Sequence, residues 1–314
     1  MRTLIVGVVV LVWFGVAVRP GRASQEASLA DILDRAGKYV RQFEHDFAMV
    51  ISDEHHGQDQ YPRTMDDLPG RNYGSPRTTG LSVRSNVHRE TRSEMLFVRG
   101  ERELAWLAVR NVLMVKDGIG SGSLWQSIPE SKDRLDRALR DTSPGQALRL
   151  RTLADDGARF NLGRRIYRNF NTPPLALQLL GLEFQPRFAF TLAGREKVAG
   201  SPTVKLAFAE RGSPTVIAFN DRDLPSAGEV WVREADGAIV RTHVTLRAPQ
   251  TDEGPSMDVS IRVDYRHDAK LDMWVPAQMT ERYTERRQPG ERIYCYATYS
   301  NYRRFETSGR LVIP

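Results

Sequence analysis

The sequence predicts an α+β protein: a mainly antiparallel sheet forming an incomplete barrel, with a block of helices covering its concave face. Three observations predict it. Apolar and polar residues alternate in long runs beyond Arg187, helical stripes gather between about 127 and 184, and Gly, Pro and Asp punctuate the strands at hairpin spacing. Because the helical block interrupts the strands, early and late strands can pair, and a single domain is expected over 24–314.

The chain opens with a charge-free run from Leu4 to Val18, preceded by Arg2 and followed by Arg19-Pro20-Gly21-Arg22-Ala23. A basic start, a short apolar middle and a small-residue exit are the parts of a secretory signal peptide, expected at 1–23. A retained membrane anchor is the competing reading, but the run falls short of the roughly 17–25 residues that a spanning helix needs. No cysteine follows it to take a lipid, and a lone Arg2 does not suit a twin-arginine route. The expected location is periplasmic or extracellular after cleavage, with no transmembrane span left.

Next, Leu29, Ile32, Leu33, Ala36 and Val40 recur at helical steps, with Ser28 as the cap. Phe47 to Ser52 reads as a strand. From Gly57 to Gly80, three prolines and four glycines with few large apolar groups predict a long surface loop. Strands are expected at Glu94 to Arg99 and Ala105 to Lys116, the second ending at Asp117-Gly118. Ser127-Ile128-Pro129-Glu130 has capping-box spacing ahead of Leu135, Ala138 and Leu139. A second helix starts near Ser143-Pro144 and presents Ala147, Leu150, Leu153, Ala154 and Ala158.

A third helix is expected after Thr172, with Pro173 in its first turn, where the missing N–H is not needed. Leu175, Leu177, Leu179, Leu180, Leu182 and Phe184, together with Ala176, make it apolar on nearly all sides, so it must be enclosed. It is either a helix wedged into the core or a plug in the sheet's hollow that an apolar guest could displace. Hairpin strands follow around Ala199-Gly200-Ser201-Pro202 and Asp236-Gly237. The cleanest alternation is Val259, Ile261, Val263 and Tyr265, and further strands run near Trp274 to Tyr283 and Ile293 to Tyr299.

Composition removes some functions. The formal charge of +6 drops to about +3 once Arg2, Arg19 and Arg22 leave with the leader, and the arginines are mixed with acids along the chain. Even the densest basic stretch, Arg159 to Arg168, follows Asp155-Asp156. No nucleic-acid partner is expected. The single Cys295 rules out an internal disulfide, and alternation places it beside Ile293, Ala297 and Tyr299 as a small buried residue.

The segments Gly228-Glu229-Val230-Trp231-Val232, Gly237 to Arg241, Tyr265, Trp274-Val275-Pro276 and Tyr299 to Phe305 together form a pattern. It resembles exported bacterial proteins of uncharacterised function and, more distantly, the LolA/LolB/RseB-like group of periplasmic lipoprotein carriers and sensors. The resemblance covers about Phe188 to Phe305. It implies an incomplete antiparallel barrel whose apolar face is covered by helices and admits acyl chains. None of that group's functional residues maps onto positions here.

Candidate chemistry is sparse. Asp53-Glu54-His55-His56, with Glu44-His45-Asp46 upstream, is the one dense set of metal donors, but HExxH is absent and no cysteine stands nearby in sequence. Neighbours on a strand point to opposite faces, so His55 and His56 read as strand-end polar residues. Gly118 to Gly122 lacks the order of a nucleophile elbow or a phosphate loop. Asp66-Asp67 and Asp155-Asp156 carry no diagnostic spacing. No catalytic, cofactor-binding or metal residue is assigned, and no cofactor is expected. The leading expectation is a soluble exported protein that binds a lipid or lipoprotein through an apolar hollow. An envelope-protein interaction module and a metal-dependent hydrolase around His55 are the alternatives.

Overall fold

The computed structural model describes residues 27–61, 87–99, 106–118, 123–141, 143, 145–163, 172–219, 222–250, 256–286 and 291–305. The expected signal peptide, and the expected loop from residue 62 onward, lie outside them.

Helix α1 (Leu29–Phe47) opens with a capping box in which the Asp31 backbone N–H donates to Ser28 Oγ and the Ser28 backbone N–H donates to Asp31 Oδ2. Its stripe extends beyond Ile32, Ala36 and Val40 to Phe43 and Phe47, all buried. Phe47 therefore closes the helix instead of opening a strand. The chain turns at Met49, with φ of 62°, into β1 (Val50–Tyr61).

Strands β2 (Val87–Arg99), β3 (Trp106–Asp117) and the two-residue β4 (Gln126–Ser127) follow. Then come α2 (Ser131–Arg140), α3 (Gln146–Ala158), the single turn α4 (Leu175–Gln178) and a 3-10 turn at Gln185–Arg187. The rest is β5 (Phe188–Val198), β6 (Ser201–Glu210), β7 (Ala218–Phe219), β8 (Arg222–Asp223), β9 (Ser226–Arg233), β10 (Ile239–Ala248), β11 (Met257–Asp268), β12 (Met273–Glu285) and β13 (Arg292–Arg304).

Eleven strands form one open sheet in the order β4-β3-β2-β1-β13-β12-β11-β10-β9-β6-β5, and every pairing in it is antiparallel. The pairing of β1 with β13 joins the early strands to the late ones. Hairpin chemistry is as the turn residues dictate. Ala199 and Gly200 both take positive φ, and Gly237, with φ of 77°, closes the β9–β10 turn. A Cβ on Gly237 would meet the Arg35 backbone carbon at 2.7 Å, so this hairpin tip lies directly on α1.

The helices divide between the two faces of the sheet. Met95 and Phe97 of β2 belong to a large core that includes α1, α4 and the inward residues of β9 to β13. Leu96 and Val98 alternate with them, so they face the other way. They join Ile51 and Val109 in a smaller core under Leu135, Ala138 and Leu139 of α2 and Ala147, Leu150 and Leu153 of α3. The expected helical block is thus not one cover. Helices α2 and α3 shield an outer apolar patch, while α1 and the α4 segment lie on the larger inner face.

Three local expectations are corrected. Gly57 to Tyr61 continue β1 and are not loop. Gln126–Ser127 pair with Met114 and Val115 instead of capping α2, which starts after Glu130 at φ of 58° with no side-chain cap. Pro129 disfavours a helical conformation at the residue before it, so the helix cannot begin at Ser127. Finally, the third helix is only one turn long, Leu175–Gln178.

Candidate functional site

Strands β10 and β11 send Val244, Leu246, Val259, Ile261 and Val263 into the large core, each at most 3% exposed. Opposite them lie α1 and the segment from Pro173 to Arg187. Leu175, Leu177, Leu179 and Leu180 of that segment are buried, and Leu182 and Phe184 are half-buried. The sequence expects all six on one enclosed helix. It errs on their conformation, because only Leu175–Gln178 are helical.

The reason is chemical. Gly181 weakens a continuation past Gln178, and Pro186 bars one beyond it. The backbone instead makes short-range turns: Leu175 N donates to Thr172 O, Leu177 N to Pro174 O, Leu180 N to Leu177 O, Gly181 N to Gln178 O and Phe184 N to Gly181 O. Side-chain bonds seen among the described residues tie the segment to its surroundings. Tyr265 Oη donates to Pro173 O at 2.9 Å, and Gln185 Nε2 donates to Leu33 O at 2.8 Å. Gly37 permits the contact with α1, since a Cβ there would come within 2.4 Å of Leu182 Cδ2.

The same inner face changes character on β1. Ser52, Glu54, His56 and Gln58 all point inward and are at most 2% exposed. Glu54 receives two bonds from Arg110 of β3, from Nε at 2.6 Å and from Nη2 at 3.0 Å. Burial pushes the Glu54 carboxyl up, but the charge and hydrogen bonds of Arg110 together with a bond from Tyr299 and the nearby His56 outweigh it and hold the group below the usual carboxylate range. Gln58 is anchored to the chain after α3, donating to Phe160 O at 3.0 Å and accepting from Leu162 N at 2.9 Å. His56 Nε2 stands 3.4 Å from Glu281 Oε1 of β12, without the alignment of a hydrogen bond. Tyr283 donates its hydroxyl to the other Glu281 oxygen.

His55 and His56 do point to opposite faces, as adjacency on a strand requires. They are not at a strand end, however, because β1 runs five residues past His56. His55 lies on the outer face, its Nε2 2.8 Å from Glu90 Oε2. His88 joins the same patch through Asp59 at 2.8 Å and Glu90 at 3.2 Å, and Lys116 reaches Glu90 at 3.2 Å. Burial raises the Glu90 carboxyl, but its bonds from His55, His88 and Lys116 pull it down to about 2. Glu44, His45 and Asp46 sit in the last turns of α1, where His45 pairs with Asp46. Asp156 pairs with Arg134, and Gly118 ends β3 at φ of 92°. Asp66, Asp67 and the stretch from Ile119 to Gly122 lie outside the described residues.

Sequence reasoning missed one arrangement. It finds no cysteine near the histidines, yet the strand order brings Cys295 to His56. Cys295 is the register partner of both Gln58 and Glu281, and the ligand atoms of His56, Glu281 and Cys295 all lie within 4.8 Å of one another. Cys295 does alternate with Ile293, Ala297 and Tyr299 as expected, all four buried. The missing information was the β1–β13–β12 pairing, which local pattern cannot supply.

No family model matches the chain, and no curated protein matches it. Among solved structures, one likeness is to a domain described as outer membrane lipoprotein-sorting from Vibrio parahaemolyticus. It has 12% identity and a TM-score of 0.33, and covers 88% of this chain and 93% of that one. A second is to a DUF1329 family protein from Desulfovibrio piger, at 12% identity and a TM-score of 0.31, covering 87% and 91%. A third is to MucB in complex with MucA, at 12% identity and a TM-score of 0.20, covering 87% and 94%. Among the described residues no helix is long and apolar enough to cross a membrane.

Proposed function

We propose that the chain is an exported soluble protein that holds an acyl chain, or the lipidated end of another protein, against the inner face of an incomplete barrel. It acts outside the cytoplasm once residues 1–23 are removed. The cargo takes the place that Pro173 to Phe184 fills in this structure. One observation supports this reading above others: among the described residues, the segment's backbone N–H groups donate almost entirely within it. Such a segment can swing away as a unit without stranding backbone groups of the sheet, whereas removing a strand would leave a ladder unpaired. What opposes its departure is the Tyr265–Pro173 hydrogen bond and, above all, apolar burial, roughly 1.5–3 kcal/mol for each fully buried leucine. An acyl chain restores that burial, so exchange is close to neutral for an apolar guest and uphill for water.

Native mass spectrometry of protein purified from cell envelope tests the reading. Bound lipid is the expected result, with a fluorescent fatty acid displacing it on titration. Protein that is always empty, and takes up no acyl probe when Leu179→Asp loosens the segment, would overturn it.

A second reading, an interaction module for an envelope protein, is favoured by the outer face near the ends of β1 and β2. Leu124 and Tyr296 are exposed there, the Arg92 guanidinium lies 4.6 Å from the centre of the Trp125 ring, and His55 stands between Trp125 and Tyr296. Tyrosine, tryptophan and arginine are the residues that anchor protein interfaces. Replacing 62–86 by a short turn leaves the whole of β1 and β2 in place. A partner captured by the full chain and lost from this variant supports the reading, and unchanged capture removes the role of that segment.

A further inference from the structure

We propose that His56, Glu281 and Cys295 form a buried site for one divalent cation of the zinc class, bound through an imidazole nitrogen, a carboxylate oxygen and a thiolate. The site is independent of whether an acyl cargo is carried. Its donors come from three adjacent strands, β1, β12 and β13, so the ion would cross-link the middle of the sheet where early and late strands meet.

Geometry is the first argument. A tetrahedral ion with bonds of about 2.0–2.3 Å holds its ligand atoms about 3.3–3.6 Å apart. His56 Nε2 and Glu281 Oε1 are already 3.4 Å apart, and the widest separation in the set, within 4.8 Å, closes by about 1 Å through a side-chain torsion. The second argument is an unmet need. His56 is 1% exposed, and its Nε2 finds no hydrogen-bond partner among the described residues. Thr91, the register partner of His56 on β2, has a buried hydroxyl in the same condition. Buried polar groups left without partners are uncommon and call for an explanation. A metal bound to Nε2, carrying a water that bonds to Thr91 Oγ1, satisfies both.

Charge is the third argument. Glu54 and Arg110 neutralise each other, and Glu281 brings a further carboxylate to the strip beside His56. A dication with that carboxylate and the Cys295 thiolate, beside a neutral imidazole, is a neutral set, as a dry interior requires. Binding forms the sulfur–metal bond as the thiol gives its proton to solvent, so it tightens as pH rises. Thiolate with imidazole selects zinc, cobalt or copper over magnesium and calcium.

The test uses the full mature chain, refolded with and without equimolar Co²⁺ or Zn²⁺, freed of unbound metal and analysed for stoichiometry. The expected result is about one metal per chain, a thiolate-to-cobalt charge-transfer band and a raised Tm. Cys295→Ala should fold, because the site is small and apolar-flanked, and should lose the band and the metal-dependent Tm rise. Its affinity should fall by on the order of 100-fold or more, since even groups that only orient a ligand are worth about 10- to 100-fold. Cys295→Ser, closer in volume, repeats the measurement if the alanine chain fails to fold. A wild-type chain that refolds fully and retains no metal overturns the site, as does Cys295→Ala that retains the wild-type stoichiometry.

Discussion

One face of one sheet is built in two ways. Across β10 and β11 the inner positions are mostly Val, Leu and Ile, with Thr242, Met257 and Tyr265 among them, and an apolar segment lies over them. Across β1 the inner positions are Ser, Glu, His and Gln, just as deeply buried; specific polar bonds hold Glu54 and Gln58, while Ser52 Oγ and His56 Nε2 find no hydrogen-bond partner among the described residues. The apolar half is held by area, which is non-directional and tolerates an exchange of one guest for another. The polar half is held by partners, and each group there has a fixed requirement. A replaceable cover, as proposed, therefore suits β10 and β11, and a fixed structure, such as the proposed ion site, suits β1, β12 and β13.

The largest effect should come from breaking the polar half. Arg110→Ala leaves Glu54 buried without its partner, and the expected loss is about 3–5 kcal/mol, read from the denaturant midpoint at constant m-value. The double replacement Glu54→Leu with Arg110→Met should recover most of it, because removing both charges leaves none unpaired. A single variant that loses no more than a surface substitution would mean that water reaches this strip, and the contrast between the halves would dissolve.

Next in size is the apolar half. Leu177→Ala should cost about 2–4 kcal/mol through lost burial and the cavity left behind. Its signature is a coupled gain: a fluorescent acyl probe should bind more tightly to Leu177→Ala than to wild type, since part of the competing burial is gone. Arg110→Ala should show no such gain. Equal probe affinity in both variants would detach the Pro173 to Phe184 segment from cargo binding.

The two halves were also unequally legible in the sequence. Val259, Ile261, Val263 and Tyr265 announce their strand because their inner face is apolar and their outer face is not, and the hairpins at Gly200 and Gly237 follow from turn chemistry. On β1 the rule inverts. Ser52, Glu54, His56 and Gln58 are inward but polar, so the alternation vanishes and the strand reads as ending at Ser52, with loop from Gly57 onward. Their partners, Arg110, Phe160 and Glu281, are remote in sequence and unrecoverable from local pattern. Pro173 to Phe184 fails for the opposite reason. When nearly every residue is apolar, burial is legible but periodicity is not, and a helix cannot be told from a run of turns.

The smallest effect separates buried polar groups from wet ones. On the outer face of the same strands, His88 sits between Asp59 and Glu90. Burial lowers its pKa, but bonds to both carboxylates raise it more, to a net value above the ordinary 6.5. A histidine raised in the folded state stabilises fully below 6.5 and loses that contribution as pH climbs through the folded value. Glu90, pulled from 4.5 to about 2, stabilises above 4.5 and loses its contribution as pH falls toward 2. The patch thus contributes most between about 4.5 and 6.5, and no more than about 1 kcal/mol, because it is partly open to solvent and salt. NMR titration should place His88 above a free histidine, and His88→Asn should remove the stability lost on going from neutral to alkaline pH. Added salt should shrink the His88 effect but leave the cost of Arg110→Ala nearly unchanged, since screening reaches the outer patch and not the dry strip. If both respond to salt alike, β1 has no dry side, and polar groups on its two faces differ only in their partners.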